Sequence, residues 1–289
     1  VVVSESLAPG PLPAGDQPQP QDLVITMLGT YVRPYGDQVW SGGLVVLLGE
    51  LGFSQGAARV ALTRLVRRGL IARMREGRLV HYRVTPRAER LLAEGDGRIF
   101  SLGHPRDDGS SWTLLWHQIP EDRRLERSRL ARRLRFLGFG SVQDSVWVSP
   151  HDHSGEVAEL LSELDVAEHA TAFLAQVDAM AGLGALVSRA WDLSGLVDRY
   201  EAFHADFSPF LRRRARAGMS DTEAFLVRTT LVHQFRGFPL LDPELPEDLA
   251  PMAQPRQQAA ETFHELYEGL AEPSQRHFEV VTAGYQAMG

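Results

Sequence analysis

The 289-residue sequence predicts a mixed α+β chain in three parts, and three observations carry that prediction. Between residues 22 and 100, helical periodicity occurs three times and is followed by two strand-like runs. From 111 to 184, strand-like and helical segments alternate. From 190 to 289 the pattern is mainly helical, with 44% hydrophobic residues across the chain to supply cores.

Residues 1–21 are rich in Pro, Gly and Gln and lack apolar periodicity, so they read as a disordered extension. This start does not have the basic-then-apolar order of a signal peptide, and no apolar run approaches the roughly 18 residues of a membrane span. A cytoplasmic location is the expectation. The absence of cysteine excludes disulfides, thiolate nucleophiles and cysteine metal sites.

A first helix is expected from Asp22, as N-cap, to the stop at Pro34 and Gly36. A second should cover Leu44 to Leu51. The third should run from an N-cap at Ser54 to Arg68, with Gly69 as the left-handed stop. In that segment Ala58, Ala61, Leu62 and Leu65 fall on one face, and Arg59, Thr63 and Arg67 on the other. The run LIARMREGRLVHYRVT then alternates apolar residues with Arg around a turn at Glu76 and Gly77. Three helices followed by a basic hairpin predict a winged helix-turn-helix over residues 22–100.

In the middle part, WTLLWHQI and DSVWVSP read as strands, as does ATAFLAQVD. Helices are expected along RRLERSRLARRLRFLGFG, with Leu125, Leu130, Leu134 and Leu137 on one stripe, and over about 154–164. That order suggests a ferredoxin-like βαββαβ sandwich over 111–184. The last part predicts helices at 193–217, 220–237, 254–271 and 273–287, broken by Pro239, Pro243 and Pro246.

Charge is distributed unevenly. The chain totals -7, yet residues 51–90 hold ten arginines and two acids. Arg on the outward face of the third helix, just ahead of a basic hairpin, supplies a major-groove reader and a clamp on flanking phosphates. Arg59, Thr63 and Arg64 are the candidate base contacts, and Arg67, Arg73, Arg75 and Arg78 the candidate phosphate contacts. The alternative reading of such a run is a solvated face.

His151, Asp152 and His153 invite a metal reading, but no third ligand is fixed nearby and capping explains the Asp. No metal or cofactor is expected. The rival class is an enzyme, a metal-dependent nuclease or an acyl-CoA hydrolase with an accessory DNA module. The strand WTLLWHQI carries no carboxylate for metal-dependent cleavage, and the chain has no Gly-x-Ser-x-Gly elbow and no P-loop.

The run from LVITMLGTYVRPYGDQVW to LIARMREGRLVHYRVTPRAERLL, together with LVRTTLVHQFRGFPLLDPELP near the C-terminus, resembles the PaaX family of bacterial transcriptional regulators. The resemblance extends from about residue 22 onward, and the middle part is similar to that family's Cas2-like domain. It implies a homodimeric repressor on a double-stranded DNA operator with two half-sites, released by an acyl-CoA such as phenylacetyl-CoA. The middle domain would then serve dimerisation and signal relay. The implied DNA-contacting positions are Arg59, Thr63, Arg64 and Arg67 of the third helix, and Arg75, Arg78 and His81 of the wing. Relatives usually carry a Trp after the DPxLP segment, where this chain continues EDLAPMAQPRQQ.

For the effector, the candidates lie in the helical part at 190–289. Trp191 and Tyr200 belong to an aromatic series that reads first as core, beside Arg212, Arg213, Arg214 and Arg216. Together they offer an apolar slot and cations for CoA phosphates. His233 and Arg236 share a helix side and serve either a ligand or a polar contact with the DPELP loop.

Overall fold

The computed structural model of the chain describes residues 18–36, 38–103, 111–176, 182–212, 216, 218–246 and 249–283. Helix α1 (Pro20–Met27) begins before the expected N-cap at Asp22, because Pro20 occupies its first position after Gln19. There the missing N–H costs nothing and the fixed φ suits a helix. Of the expected extension 1–21, residues 1–17 lie outside the described residues. After α1 the chain makes a π-helical turn, Leu28–Val32. A short strand β1 (Gln38–Trp40) then leads into α2 (Ser41–Glu50), α3 (Gln55–Arg67), β2 (Ile71–Glu76), β3 (Leu79–Val84) and α4 (Pro86–Ser101). The three strands form an antiparallel sheet in the order β1-β3-β2.

The next stretch runs β4 (Ser111–His117), α5 (Arg124–Phe136), β5 (Gly140–Gln143), β6 (Val146–Ser149), α6 (Ser154–Glu163) and β7 (Ala170–Gln176). Its sheet is antiparallel in the order β5-β6-β4-β7, the βαββαβ arrangement. Leu115, Trp147, Leu130, Leu134 and Val157 fill the space between sheet and helices. The expected leucine stripe on α5 is corrected at Leu125, which is 60% exposed, whereas Leu130 and Leu134 are fully buried. Leu125, five residues before Leu130, is turned about 140° round the helix from it and so leaves the stripe, whereas Leu137, just past α5, packs partly buried on the same core.

Two helices follow, α7 (Leu183–Ala190) and α8 (Leu193–Phe207). The helix expected over 193–217 stops at Phe207, since Pro209 lacks an N–H and turns the chain into a 3₁₀ turn, Ser208–Leu211. Three helices close the chain: α9 (Asp221–Phe235), α10 (Ala253–Gly269) and α11 (Ala271–Ala283). A reciprocal capping box of Ser220 and Glu223 starts α9. None of the described helices is long and apolar enough to cross a membrane.

The chain divides into two compact units, each drawn from separated stretches. Residues 101–202 and 237–260 make the second, and the remaining residues make the first. The core of the first unit joins Leu23, Val24 and Met27 of α1, Leu44, Leu47 and Leu48 of α2, and Ala58, Leu62 and Leu65 of α3. Phe225 of α9 and Phe278 of α11 enter the same core. Tyr31 lies against both, 5.3 Å from the Phe225 ring and stacked 5.1 Å from that of Phe278. Helices from the two ends of the sequence therefore share one interior.

Candidate nucleic-acid interface

Helix α3 is delimited as its sequence requires. Ser54 Oγ accepts a hydrogen bond from the Ala57 N–H at 3.2 Å, and Gly69 takes the left-handed conformation, with φ of 67°, that ends the turn. Ala58, Ala61, Leu62 and Leu65 are buried. The same rotation leaves Arg59, Thr63, Arg64 and Arg67 exposed on the other side. The Thr63 hydroxyl donates to the Arg59 carbonyl at 2.9 Å, so toward any partner it can only accept. Arg59 makes one long contact, 3.5 Å, to Gln55 Oε1. Exposed Arg68, at the C-cap, extends the patch; sequence reasoning does not single it out because the face pattern ends there.

Strands β2 and β3 pair from Ile71 opposite Val84 to Glu76 opposite Leu79, which makes Gly77 and Arg78 the two loop residues. Gly77, with φ of 60°, occupies the first loop position as the II′ class of hairpin turn demands. Arg78 is thereby carried at the exposed tip.

Pairing also sorts the remaining candidates by face. Arg73 is opposite Tyr82, and Arg75 opposite Val80, so both arginines extend the sheet face on which Ile71, Tyr82 and Val84 meet the helices. His81 is opposite Met74 and so takes the other face. There it lines a cavity of about 480 Å³ with Tyr31, Trp40, Glu76, Leu79 and Gln275. Its Nδ1 is 3.8 Å from the Glu76 carboxylate. The pairing thus puts His81 on the sheet face opposite that of Arg73 and Arg75.

Several arginines elsewhere in the chain have carboxylate partners. Arg33 binds Glu89 and Asp96, Arg123 binds Asp165 at 3.0 Å, Arg216 binds Glu265 at 2.9 Å, and Arg276 binds Asp221 and Glu272. Among the described residues, none of Arg59, Arg64, Arg67, Arg73, Arg75 and Arg78 has one. A cluster of exposed guanidinium groups without counter-charges is open to an external polyanion.

The other candidates do not converge. Trp191 donates its indole N–H to the Gly138 carbonyl at 3.2 Å and borders a cavity of about 310 Å³ in the second unit, with Phe139, Leu196, Arg135 and Arg199. Tyr200 is fully buried there, stacked on Phe238 and donating to Asp242 at 2.7 Å. Burial pushes its hydroxyl well above the ordinary tyrosine range, and the adjacent Asp242 carboxylate adds to the shift. Arg213 lies outside the described residues.

His233 and Arg236 belong to the first unit and turn toward α1. Arg236 donates to the Asp22 carbonyl at 3.1 Å and to Thr26 Oγ1 at 2.9 Å, and His233 Nδ1 is 3.4 Å from the same hydroxyl. Burial holds the Arg236 guanidinium below its ordinary value, partly offset by Asp22. His151 contacts the Pro243 carbonyl at 3.1 Å, and Asp152 accepts from Ser154 N and Oγ, which lowers its pKa. Among the described residues no three His, Cys, Asp or Glu are grouped as a metal site would need.

The chain matches the family description of a PaaX-like protein over residues 19–88, the PaaX protein central Cas2-like domain over 105–187, and the PaaX-like protein C-terminal domain over 191–280. It is 32% identical over 237 residues to Transcriptional repressor PaaX of Escherichia coli (strain K12), which covers 79% of this chain and 73% of that protein. Among solved structures it is similar to uncharacterized protein Rv0674 from Mycobacterium tuberculosis, with a TM-score of 0.56 and 22% identity over 90% of this chain and 99% of the other. That likeness bears on fold alone. With three successive domain matches and this level of identity to a curated relative, the chain belongs to the PaaX-like protein family.

Proposed function

We propose that this chain is a DNA-binding transcriptional repressor whose N-terminal part works as a winged helix. Helix α3 enters the major groove, where Arg59, Arg64 and the accepting hydroxyl of Thr63 meet base edges. Arg67, Arg73, Arg75 and Arg78 hold the phosphates on either side. The observation that carries this reading is the arginine set on α3 and the hairpin, exposed and, among the described residues, without carboxylate partners. The relative named a transcriptional repressor supports it.

The protein acts as a homodimer, so that two such heads meet two half-sites about one helical turn apart. An acyl-CoA effector, of which phenylacetyl-CoA is the type, releases the operator by binding the DNA-incompetent arrangement more tightly. Trp191 and the cavity beside it are the place in the second unit suited to the acyl or aryl end. Regulation by binding, with no chemical step, is the role assigned to the chain, which is cytoplasmic in this reading.

A gel-shift titration against a double-stranded library, followed by sequencing of the retained DNA, tests the core of the proposal. Enrichment of a two-fold symmetric site is expected, weakened when phenylacetyl-CoA is added. Retention without any sequence preference overturns the repressor reading.

A further inference from the structure

We infer that helix α5 of the second unit is a second DNA-phosphate-binding surface; this rests on the DNA-binding reading. Helix α5 buries Leu130 and Leu134 against its sheet. At 100° per residue, Arg129 and Arg132 fall on the side away from these leucines and Arg133 flanks them, the three spaced i, i+3 and i+4. All three are exposed, and among the described residues none has a carboxylate partner.

Three other arginines of the helix and its approach are accounted for otherwise. Arg123 binds Asp165, Arg127 binds Glu121 at 2.9 Å, and the Arg135 guanidinium lies 5.2 Å from the centre of the Trp147 ring. Two arginines, Arg133 and Arg135, fall in the last turn, where a helix favours positive charge. Of the rest, Arg124 opens the helix, and Arg129 and Arg132 stand within it without a local partner among the described residues. Like charges one turn apart repel, so Arg129 disfavours both Arg132 and Arg133 within an isolated α5. A row of phosphates would convert that repulsion into attraction, and guanidinium groups about 5–6 Å apart at their Cβ atoms can engage successive phosphates by paired N–H donors. The open arginines of α3 and the hairpin have the same property, which makes duplex DNA the partner that fits both.

Full-length protein and its R129Q/R132Q/R133Q variant are titrated with the selected site, set in a duplex extended on both sides, across a range of salt. Glutamine keeps the helix-forming tendency while removing charge. The slope of log affinity against log salt is expected to fall by about 0.9 for each phosphate no longer neutralised, up to about 3 in all, with the base preference unchanged. Arg276→Gln, which removes a carboxylate-paired arginine, should leave the slope as it is. An unchanged slope in a folded triple variant overturns the inference. Should the triple variant fail to fold, Arg132→Gln alone is expected to lower the slope by about 0.9, and no change there has the same force. Wild-type protein that binds no duplex at any salt counts instead against the repressor reading.

Discussion

Tyr31 and Thr229, separated by 198 positions in sequence, join their hydroxyls at 3.0 Å inside the first unit. Above the same ring lies the guanidinium of buried Arg228, 5.4 Å from its centroid and 4.3 Å from that of Tyr267. Arg228 Nε donates to the Tyr267 carbonyl at 2.9 Å, so the cation is both stacked and hydrogen-bonded. Tyr31→Phe removes the hydroxyl alone and should cost about 1 kcal/mol in urea unfolding. Tyr31→Ala opens a cavity beneath Phe225 and Phe278 and should cost about 3–5 kcal/mol.

Gly43 of α2 lies against the backbone of α11. A Cβ there would lie 2.8 Å from the Thr282 Cα, a backbone atom that cannot turn aside. Gly43→Ala should therefore destabilise by about 1–3 kcal/mol through overpacking, visible as a lower urea midpoint with unchanged slope. Equal stability would mean that α11 moves away at little cost.

The arginines of α3 and the hairpin tip differ in kind. Arg59→Ala should weaken binding of the selected site by about 1–3 kcal/mol and relax preference at the base it faces. Arg78→Ala should lower affinity for all sequences alike and reduce the salt slope by about 0.9. Undiminished affinity for Arg59→Ala, measured by fluorescence anisotropy, counts against its role as a reader.

Tyr31, Tyr200 and Tyr267 are all raised above the ordinary tyrosine range, in each case chiefly by burial. The native state thus holds these protons to higher pH than the unfolded chain does. Stability from this source is complete below about pH 10, the unfolded value, and falls as pH rises from there toward the native values. Thermal melts between about pH 8 and 11.5 should show the midpoint dropping above about pH 10, less steeply in Tyr200→Phe. That substitution also removes one donor from buried Asp242, at a cost of about 1–3 kcal/mol near neutral pH.

Local rules make much of this legible. Ser54, Gly69 and the alternation of Ala58, Ala61, Leu62 and Leu65 with arginine define α3 within a residue, because caps and faces are properties of a short window. The basic patch follows from the same periodicity. Strand β1 leaves no such trace: three residues carry too little alternation to register, and Gln38–Trp40 is a strand only because β3 lies alongside. His81 shows the limit at the site. Its resemblance-based place among the wing arginines says nothing of pleat, and the pairing with Met74 turns it to the opposite face. The partners of His233 and Arg236 are equally beyond local rules, since Thr26 is more than 200 positions away and only the long-range packing of α9 on α1 brings them together.

The shared interior of α1 and α11 sets an order of events during synthesis. Gln275 donates to the Tyr31 carbonyl across 244 positions, and Phe278 covers the Tyr31 ring. At about 5–20 residues per second, about 12–50 s pass between the making of Tyr31 and of the residues that enclose it. During that interval helix α3 exists without the last wall of its core. Chains cut short before α11 are therefore expected to be poor competitors for the operator and ready substrates for proteolysis, so that control over the gene rests with completed molecules.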